Sequence, residues 1–177
     1  MIKERKSNRW VGYDYSQDNL YFVTSCVKDR ICCFGEIKNH QMILNQNGLI
    51  AEKQWFWLAE QYSYLKLHAF VVMPNHIHGV IEIKRDFEIG DIVGTGRDLS
   101  LQYHRDLSLQ KIKSLSELMG AYKTTTSKQI HLSGNVSFNW QRSFHDHVIR
   151  NEQAFERISN YIINNPLKWK EDRFNEL

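Results

Sequence analysis

The stretch LKLHAFVVMPNHIHGVIEI, residues 65–83, decides the fold. It contains two strongly apolar runs, Leu65–Met73 and Ile77–Ile83, which are separated by Pro74-Asn75. Pro-Asn is a turn dipeptide, and proline lacks the N–H that a strand donates to its neighbour. The stretch therefore predicts a β-hairpin at the centre of a sheet.

The segments on either side of this hairpin predict further strands and helices. The aromatic and β-branched run Leu20–Val27 predicts a strand, Cys32–Ile43 allows a second strand or hairpin, and Val136–Ile149 alternates loosely. Apolar residues recur at helical spacing in Ala51–Tyr64, Leu115–His131 and Glu152–Ile163. The last helix should stop near Asn164, because the residue before a proline disfavours the helical region. Strand pairs followed by helices predict an α+β fold with an antiparallel sheet.

Length and composition fit one domain. The chain has 177 residues, of which 42% are hydrophobic, so it can bury an ordinary core. We expect a single domain over residues 1–177. Residues 84–110 are polar, and the hexapeptide RDLSLQ of residues 97–102 recurs at residues 105–110. Two copies are too few for a solenoid, so we predict a flexible insertion loop there.

Cysteine usage and the N-terminal sequence bear on the compartment. The three cysteines, Cys26, Cys32 and Cys33, form no C-x-x-C pair and no disulfide framework. The N-terminus is charged from its start, and no apolar run approaches the roughly 20 residues that span a bilayer. We expect a soluble, cytoplasmic protein with reduced thiols and no membrane partner.

Positive charge is concentrated in one part of the chain. The net charge is only +3, which by itself indicates no polyanionic partner. Between residues 111 and 150, however, only Glu117 and Asp146 oppose six basic residues. These are candidates for contacts to a nucleic-acid backbone, although charge runs are usually solvated surface. They are Lys111, Lys113, Lys123, Lys128, Arg142 and Arg150.

The sequence His76-Ile77-His78 is the sharpest local signal for chemistry. Side chains on a strand repeat every two residues, so both imidazoles project from one face while Ile77 points into apolar packing. Two imidazoles on a rigid strand form half of a metal site. The alternative is a pair of half-buried histidines without a ligand, and a bare H-x-H does not exclude it.

A catalytic metal site needs a third ligand and an open position. Tyr161 and Asn165 are four residues apart, so on a helix they share a face on which a phenol and an amide oxygen can approach one centre. From spacing alone, Tyr161 reads more readily as an ordinary residue of an amphipathic helix. A second tyrosine, Tyr122, lies on a basic helix and is the fallback nucleophile, although core packing is the role we expect for it first. Other candidates for the third ligand are His68, Glu82, His145, Asp146, His147 and Asn164.

Three blocks of sequence, in order, resemble one known family. The run FVVMPNHIHGVI of residues 70–81 resembles the histidine–hydrophobe–histidine (HUH) strand of single-tyrosine transposases. The run WQRSFHDHVIRNE of residues 140–152, followed by YIINNP of residues 161–166, is similar to the C-terminal half of REP-associated tyrosine transposases. Residues 13–16 and 21–24 resemble the start of that subgroup. The likeness covers nearly the whole chain, with one departure: His145 stands where the family commonly has an aromatic residue.

The resemblance implies a fold and a set of site residues. The fold would be a ferredoxin-like or RRM-like antiparallel sheet, with helices packed on one face and His76 and His78 on a central strand. Tyr161 would be the nucleophile on a helix spanning residues 151–166, and Asn165 the third metal ligand. Asn164 would take its place if Pro166 turned Asn165 off the helix.

The resemblance also implies an activity. Single-stranded or hairpin DNA would be cleaved and rejoined at palindromic repeats through a 5′-phosphotyrosine intermediate, by a monomer or a homodimer. Oxygen-bearing substrates and mixed nitrogen and oxygen ligands favour Mg²⁺ or Mn²⁺ as the cofactor. Two other readings stay open: a domesticated protein that binds nucleic acid without cutting it, and a metal-dependent nuclease that uses water while Tyr161 is structural.

Overall fold

The computed structural model describes residues 12–85 and 112–175. Within these ranges the chain forms six strands, three α-helices and two short 3-10 helices. The strands are β1 (Asn19–Cys26), β2 (Gly35–Lys38), β3 (Gln41–Leu44), β4 (Leu65–Met73), β5 (His76–Ile83) and β6 (His145–Ile149). The helices are α1 (Gln46–Gln61), α2 (Leu115–Leu132) and α3 (Glu152–Ile163), and the 3-10 helices are Lys28–Arg30 and Asn165–Glu171.

Four strands form the main sheet, in the order β4-β5-β1-β6, and all neighbours are antiparallel. The β4–β5 hairpin turns at Pro74-Asn75, so the predicted hairpin is confirmed, but it is not at the centre of the sheet because β4 is an edge strand. Without the small β2–β3 hairpin, the elements run β-α-β-β-α-β, the ferredoxin-like succession. The predicted α+β fold is therefore confirmed, and β5, which carries both histidines, is a central strand.

The two faces of the sheet carry different helices. One face contributes Val23, Ile77 and Ile81 to the main core, which α1 and α2 complete. Val80 and Ile149 belong to a second apolar cluster with α3. Neighbouring residues of a strand point to opposite faces. Helices therefore cover both faces, and the expectation that they pack on one face only is wrong. The physical reason is that β5 is buried at odd and even positions alike, with Ile77 and Ile81 on one face and the two histidines and Val80 on the other, so each face needs a cover.

Trp55 of α1 fixes the position of β5. Its ring stacks on Phe70 at 4.5 Å with an interplanar angle of 9°, and it meets the edge of Tyr122 at 5.5 Å. Gly79, next to His78, lies directly beneath this ring, since a Cβ added there would be 2.3 Å from Trp55 Cζ2. The histidine-bearing strand is thus pressed against a rigid aromatic stack.

Caps determine where α3 begins and ends. The side chain of Asn151 accepts a hydrogen bond from the Ala154 N–H and so caps the N-terminus. The helix ends at Ile163, and residues 165–171 continue as a 3-10 helix with Pro166 in its first turn. The predicted helix over residues 151–166 is therefore two elements, because Pro166 cannot donate to the helical ladder.

Some expectations lie outside the described part of the chain. The predicted insertion, residues 84–110, is described only for Lys84 and Arg85, and Lys111 is not described. None of the described helices combines the length and the apolar character needed to cross a bilayer.

Candidate active site

Two imidazoles lie side by side at the start of β5. The side chains of His76 and His78 are buried, at 0% and 1% exposure, and their Nε2 atoms are 3.1 Å apart. As alternation predicts, they share one face of the sheet. Burial lowers the pKa of His76 well below its usual value and lowers that of His78 to about 3. Both rings are therefore neutral near pH 7, the form that ligates a metal ion.

The Nδ1 atom of each ring already has a partner. His76 Nδ1 lies 2.8 Å from Asn75 Oδ1, and His78 Nδ1 lies 2.7 Å from Thr24 Oγ1. Metal-ligating histidines usually make such a contact through the nitrogen that does not bind the ion. The arrangement leaves both Nε2 atoms to face a common point.

The C-terminal helix brings Tyr161 to this pair. Its hydroxyl lies 3.3 Å from His78 Nε2, and its ring is 5.3 Å from the His78 ring, while 42% of the residue stays exposed. Burial of the remainder is the main cause that raises the pKa of Tyr161, and the charge of Asp172 adds to it. A hydrogen bond from Asn165 acts in the opposite direction. An accessible phenol and two buried imidazoles thus meet at one point.

Asn165 also lies at the site, one residue beyond the C-cap of α3. It is 2% exposed, and its Oδ1 is buried with no hydrogen-bond partner in the described part of the chain. Asn164 is exposed and donates from Nδ2 to the Asn160 carbonyl oxygen, 2.8 Å away. Despite Pro166, the structure therefore brings Asn165, and not Asn164, to Tyr161.

Sequence reasoning missed Asp172. One ligand atom each of His76, His78 and Asp172 lie within 4.8 Å of one another. The Asp172 carboxylate also accepts a hydrogen bond of 2.7 Å from the Phe174 N–H, and the Phe174 ring packs 4.6 Å from that of His76. Asp172 directly follows the 3-10 helix. Its distance from Tyr161 along the chain matches no known motif, so no sequence pattern indicates that it belongs to the site.

The donor set fits a divalent cation. Two ligand nitrogens at right angles, each about 2.1 Å from an ion, would be about 3 Å apart, close to the observed 3.1 Å. The Asp172 carboxylate adds an oxygen donor within 4.8 Å of the two nitrogens, and Asn165, which hydrogen-bonds to Tyr161, has a buried Oδ1 without a partner in the described part of the chain. Nitrogen and oxygen donors without a thiolate suit a hard or intermediate divalent ion.

The remaining candidates for ligand or nucleophile lie elsewhere. His68 Nε2 is 2.8 Å from a carboxylate oxygen of Glu82, so these two residues pair with each other. Tyr122 is completely buried in the main core and donates to the Ala51 carbonyl oxygen, which rules out the fallback nucleophile. The three candidates His145, Asp146 and His147 lie on β6, the edge strand two positions from β5.

Among the residues that the structure describes, the basic residues predicted to contact nucleic acid do not form one surface. The Lys113 N–H donates to the Tyr64 hydroxyl, just before the first residue of β4. Arg150 directly follows β6, whose last residue pairs with Leu20 near the start of β1. Both are at the end of the sheet opposite His76, about 23 Å along β5 at the ordinary rise per residue. Lys123, Lys128 and Arg142 instead line a groove of about 700 Å³ between α2 and residues 140–142.

One wall of this basic groove is joined to the sheet near the histidines. The Gln141 N–H donates to the Cys26 carbonyl oxygen, and Cys26 pairs with His76 in the sheet. Two strand spacings, about 10 Å, therefore separate the backbone of Gln141 from that of His76, but α2 packs on the face of the sheet opposite to the two imidazoles. Lys123 donates from Nζ to the carbonyl oxygens of Gln141 and Arg142. It holds the wall of the groove in place, which leaves Lys128 and Arg142 as the exposed cations.

Comparison with known proteins gives a relative and a fold. An uncharacterized protein of Haemophilus influenzae is 32% identical over 174 residues, which cover 97% of this chain and 93% of that protein. The solved structure of a REP-associated tyrosine transposase bound to a REP hairpin matches with a TM-score of 0.56 and 17% identity, covering 91% of this chain and 73% of that one. No family model matches the chain. The resemblance seen in the sequence is thus confirmed for the fold.

Proposed function

This chain belongs to the same family as the uncharacterized Haemophilus influenzae protein and has the fold of a REP-associated tyrosine transposase, and on that premise we propose that it is a metal-dependent single-strand DNA transposase or nuclease. Tyr161 is the nucleophile. His76 and His78 hold the ion, with oxygen donors from Asn165 and Asp172, and the ion is Mg²⁺ or Mn²⁺.

The observation that carries this proposal is the position of the Tyr161 hydroxyl, 3.3 Å from His78 Nε2 and partly open to solvent. A phosphodiester resists attack because its charge repels nucleophiles and its leaving alkoxide is poor. His76 and His78 would hold a divalent ion here, which would supply charge stabilisation to the phosphate. The Asn165 amide supports the nucleophile, because its hydrogen bond to the phenol oxygen favours the phenolate.

The reaction is an exchange of one ester for another. A bond forms between the Tyr161 oxygen and phosphorus, and the bond from phosphorus to the 3′ oxygen breaks. The phenol loses one proton and the released 3′-hydroxyl gains one. The 5′-phosphotyrosine keeps the energy of the broken bond, so a second 3′-hydroxyl can reverse the step on another strand without ATP.

The basic groove supports single-stranded or hairpin DNA as the substrate. It lies on the α2 side of the sheet, with the Gln141 backbone about 10 Å from that of His76, and it contains no carboxylate among its described lining residues, so a phosphate backbone meets no repulsion there. Single strands bend into narrow sites that a stiff duplex does not enter. The transposase with the matching fold was solved with a REP hairpin, which makes a hairpin-flanked strand the natural first substrate.

An adduct assay tests the proposal. The protein is incubated with Mn²⁺ and an end-labelled single strand that carries a hairpin, then denatured and separated by size. Wild type should give a labelled covalent adduct, and Tyr161→Phe should give none. Tyr62→Phe is the matched control, because Tyr62 lies just beyond α1 and away from the histidines.

The two other readings predict different outcomes of the same assay. Cleavage that persists in Tyr161→Phe without an adduct would mean that water is the nucleophile. Tight binding of the strand with no cleavage by wild type, in either Mn²⁺ or Mg²⁺, would mean that the protein binds nucleic acid without cutting it. Either outcome refutes the tyrosine mechanism.

A further inference from the structure

We propose that Asn75 is a positioning residue: it holds His76 in the tautomer that ligates a metal ion, and it ties that ring to the C-terminal segment that carries Asp172. The proposal rests on the proposed function in taking His76 as a ligand. It concerns a side chain of the hairpin turn that touches neither substrate nor ion.

The orientation of the Asn75 amide follows from its partners. Its Nδ2 lies 3.0 Å from the Arg30 carbonyl oxygen and 2.8 Å from the Phe174 carbonyl oxygen. Carbonyl oxygens only accept hydrogen bonds, so the NH₂ group must face them and Oδ1 must face His76. Asn75 is 3% exposed, so solvent does not compete for these contacts. The amide cannot flip without losing all three.

This orientation fixes the proton on His76. The Asn75 Oδ1 atom is an acceptor only, so His76 donates from Nδ1 across 2.8 Å and its Nε2 keeps a free lone pair. His78 is different, because its Nδ1 partner is the Thr24 hydroxyl, which either donates or accepts. One imidazole is therefore set in advance for an ion, while the other can change its tautomer when an ion arrives.

The same amide joins three distant segments of the chain. Its two donated bonds end at Arg30, which follows β1, and at Phe174, near the C-terminus. Arg30 in turn donates from Nη1 to the Arg173 carbonyl oxygen, 3.0 Å away, and has a positive φ of 54°. Asp172 lies in this segment, so the contact that orients His76 also holds the carboxylate beside it.

Two substitutions separate the two roles. Asn75→Asp keeps an acceptor for His76 but removes both donors and turns a carboxylate towards two carbonyl oxygens. Asn75→Ala removes the acceptor and the donors together. Asn139→Asp is the matched control, because this exposed amide donates to the Ser137 carbonyl oxygen and belongs to neither histidine's contacts.

The full-length chain, without metal or DNA and at mildly alkaline pH, is examined in two ways. Long-range proton–nitrogen NMR correlations report the protonated nitrogen of each histidine ring, and hydrogen exchange reports the protection of residues 172–175. Wild type and Asn139→Asp should show His76 protonated on Nδ1 and a protected segment. Asn75→Asp should keep that tautomer while the segment exchanges at least about tenfold faster.

Asn75→Ala should lose both features, with His76 shifting towards the Nε2-protonated form. The proposal is overturned if Asn75→Ala leaves the His76 tautomer unchanged, if Asn75→Asp changes it, or if neither variant accelerates exchange of the segment. Because neither readout needs an ion, a substrate or turnover, failure here is distinguishable from failure of the proposed activity.

Discussion

Replacing Gly79 by alanine tests how β5 is held beneath α1. The new Cβ would lie 2.3 Å from Trp55 Cζ2 and 2.6 Å from Cη2, whereas carbon atoms pack at about 3.5–4.0 Å. The ring or the strand must therefore move by more than about 1 Å. Trp55 is fully buried between Phe70 and Tyr122, so it has no free direction in which to move.

The expected cost follows from these contacts. Overpacking a core costs about 1–3 kcal/mol, and the clash at Gly79 belongs at the upper end. Removing a glycine from a strand returns about 0.5–1 kcal/mol. We expect Gly79→Ala to lower the free energy of unfolding by about 2 kcal/mol. Equilibrium unfolding in urea, followed by tryptophan fluorescence, measures it.

Gly120→Ala is the matched control. Gly120 lies inside α2, and a Cβ added there has no described atom within 4 Å. Alanine is favoured over glycine in a helix interior by about 0.8–1.0 kcal/mol, so this variant should be more stable than wild type.

A double mutant identifies the atoms responsible. Trp55→Phe removes the far ring of the indole, which contains Cζ2 and Cη2, so in that background Gly79→Ala should cost at least about 1 kcal/mol less. The reasoning is refuted if Gly79→Ala is as stable as wild type, or if its cost is the same with Phe at position 55.

Two further predictions concern the ion and the groove. Asp172→Asn should weaken Mn²⁺ binding, measured by calorimetry, by at least about tenfold because a charged oxygen donor is lost. Asp29→Asn is the control, because Asp29 is exposed and should not affect the affinity. Equal affinities of Asp172→Asn and wild type would remove Asp172 from the site. Replacing Lys128 and Arg142 by glutamine should lower the magnitude of the slope of log affinity against log salt concentration for single-strand binding by about 1.4, since each phosphate contact contributes about 0.7. Lys113→Gln is the control and should leave the slope unchanged. An unchanged slope in the Lys128 and Arg142 variant would reject the groove as the binding surface.

The elements that the sequence predicts best are those set by local patterns. Leu65–Met73 and Glu152–Ile163 form with the predicted bounds, because apolar periodicity and the neighbouring prolines define them. Helix α1 begins at Gln46, five residues before the predicted Ala51. Its true start is set by the Asn45 cap and by Gly48, where a Cβ would be 2.2 Å from the Phe34 carbonyl oxygen. That is a tertiary contact, which periodicity does not encode.

The residues of the candidate site also fall into two groups, those that local patterns predict and those that only tertiary contacts reveal. Alternation along β5 and the family resemblance predict that His76, His78 and Tyr161 meet, and the structure brings them together. Asp172 and the contacts of Asn75 arise from docking of the C-terminal segment, between residues as many as 99 positions apart, so no local pattern reveals them.

The prediction of a binding surface from charge has the same limit. The run of basic residues predicts one binding surface, but those of its members that the structure describes divide between the two ends of the sheet. Lys123 is occupied by two backbone carbonyl oxygens, and burial lowers its pKa. A count of charges along the chain cannot distinguish a lysine that holds a loop from one that contacts a phosphate.

The most direct test of the central claim is to locate the covalent bond. Wild-type protein is reacted with Mn²⁺ and a hairpin-flanked single strand, the DNA is digested to short remnants, and the protein is cleaved and analysed by mass spectrometry. A nucleotide remnant on the peptide that contains Tyr161, with fragment ions that place it on that tyrosine, is the predicted result. A remnant on any other residue, or cleaved DNA with every peptide unmodified, would contradict the account.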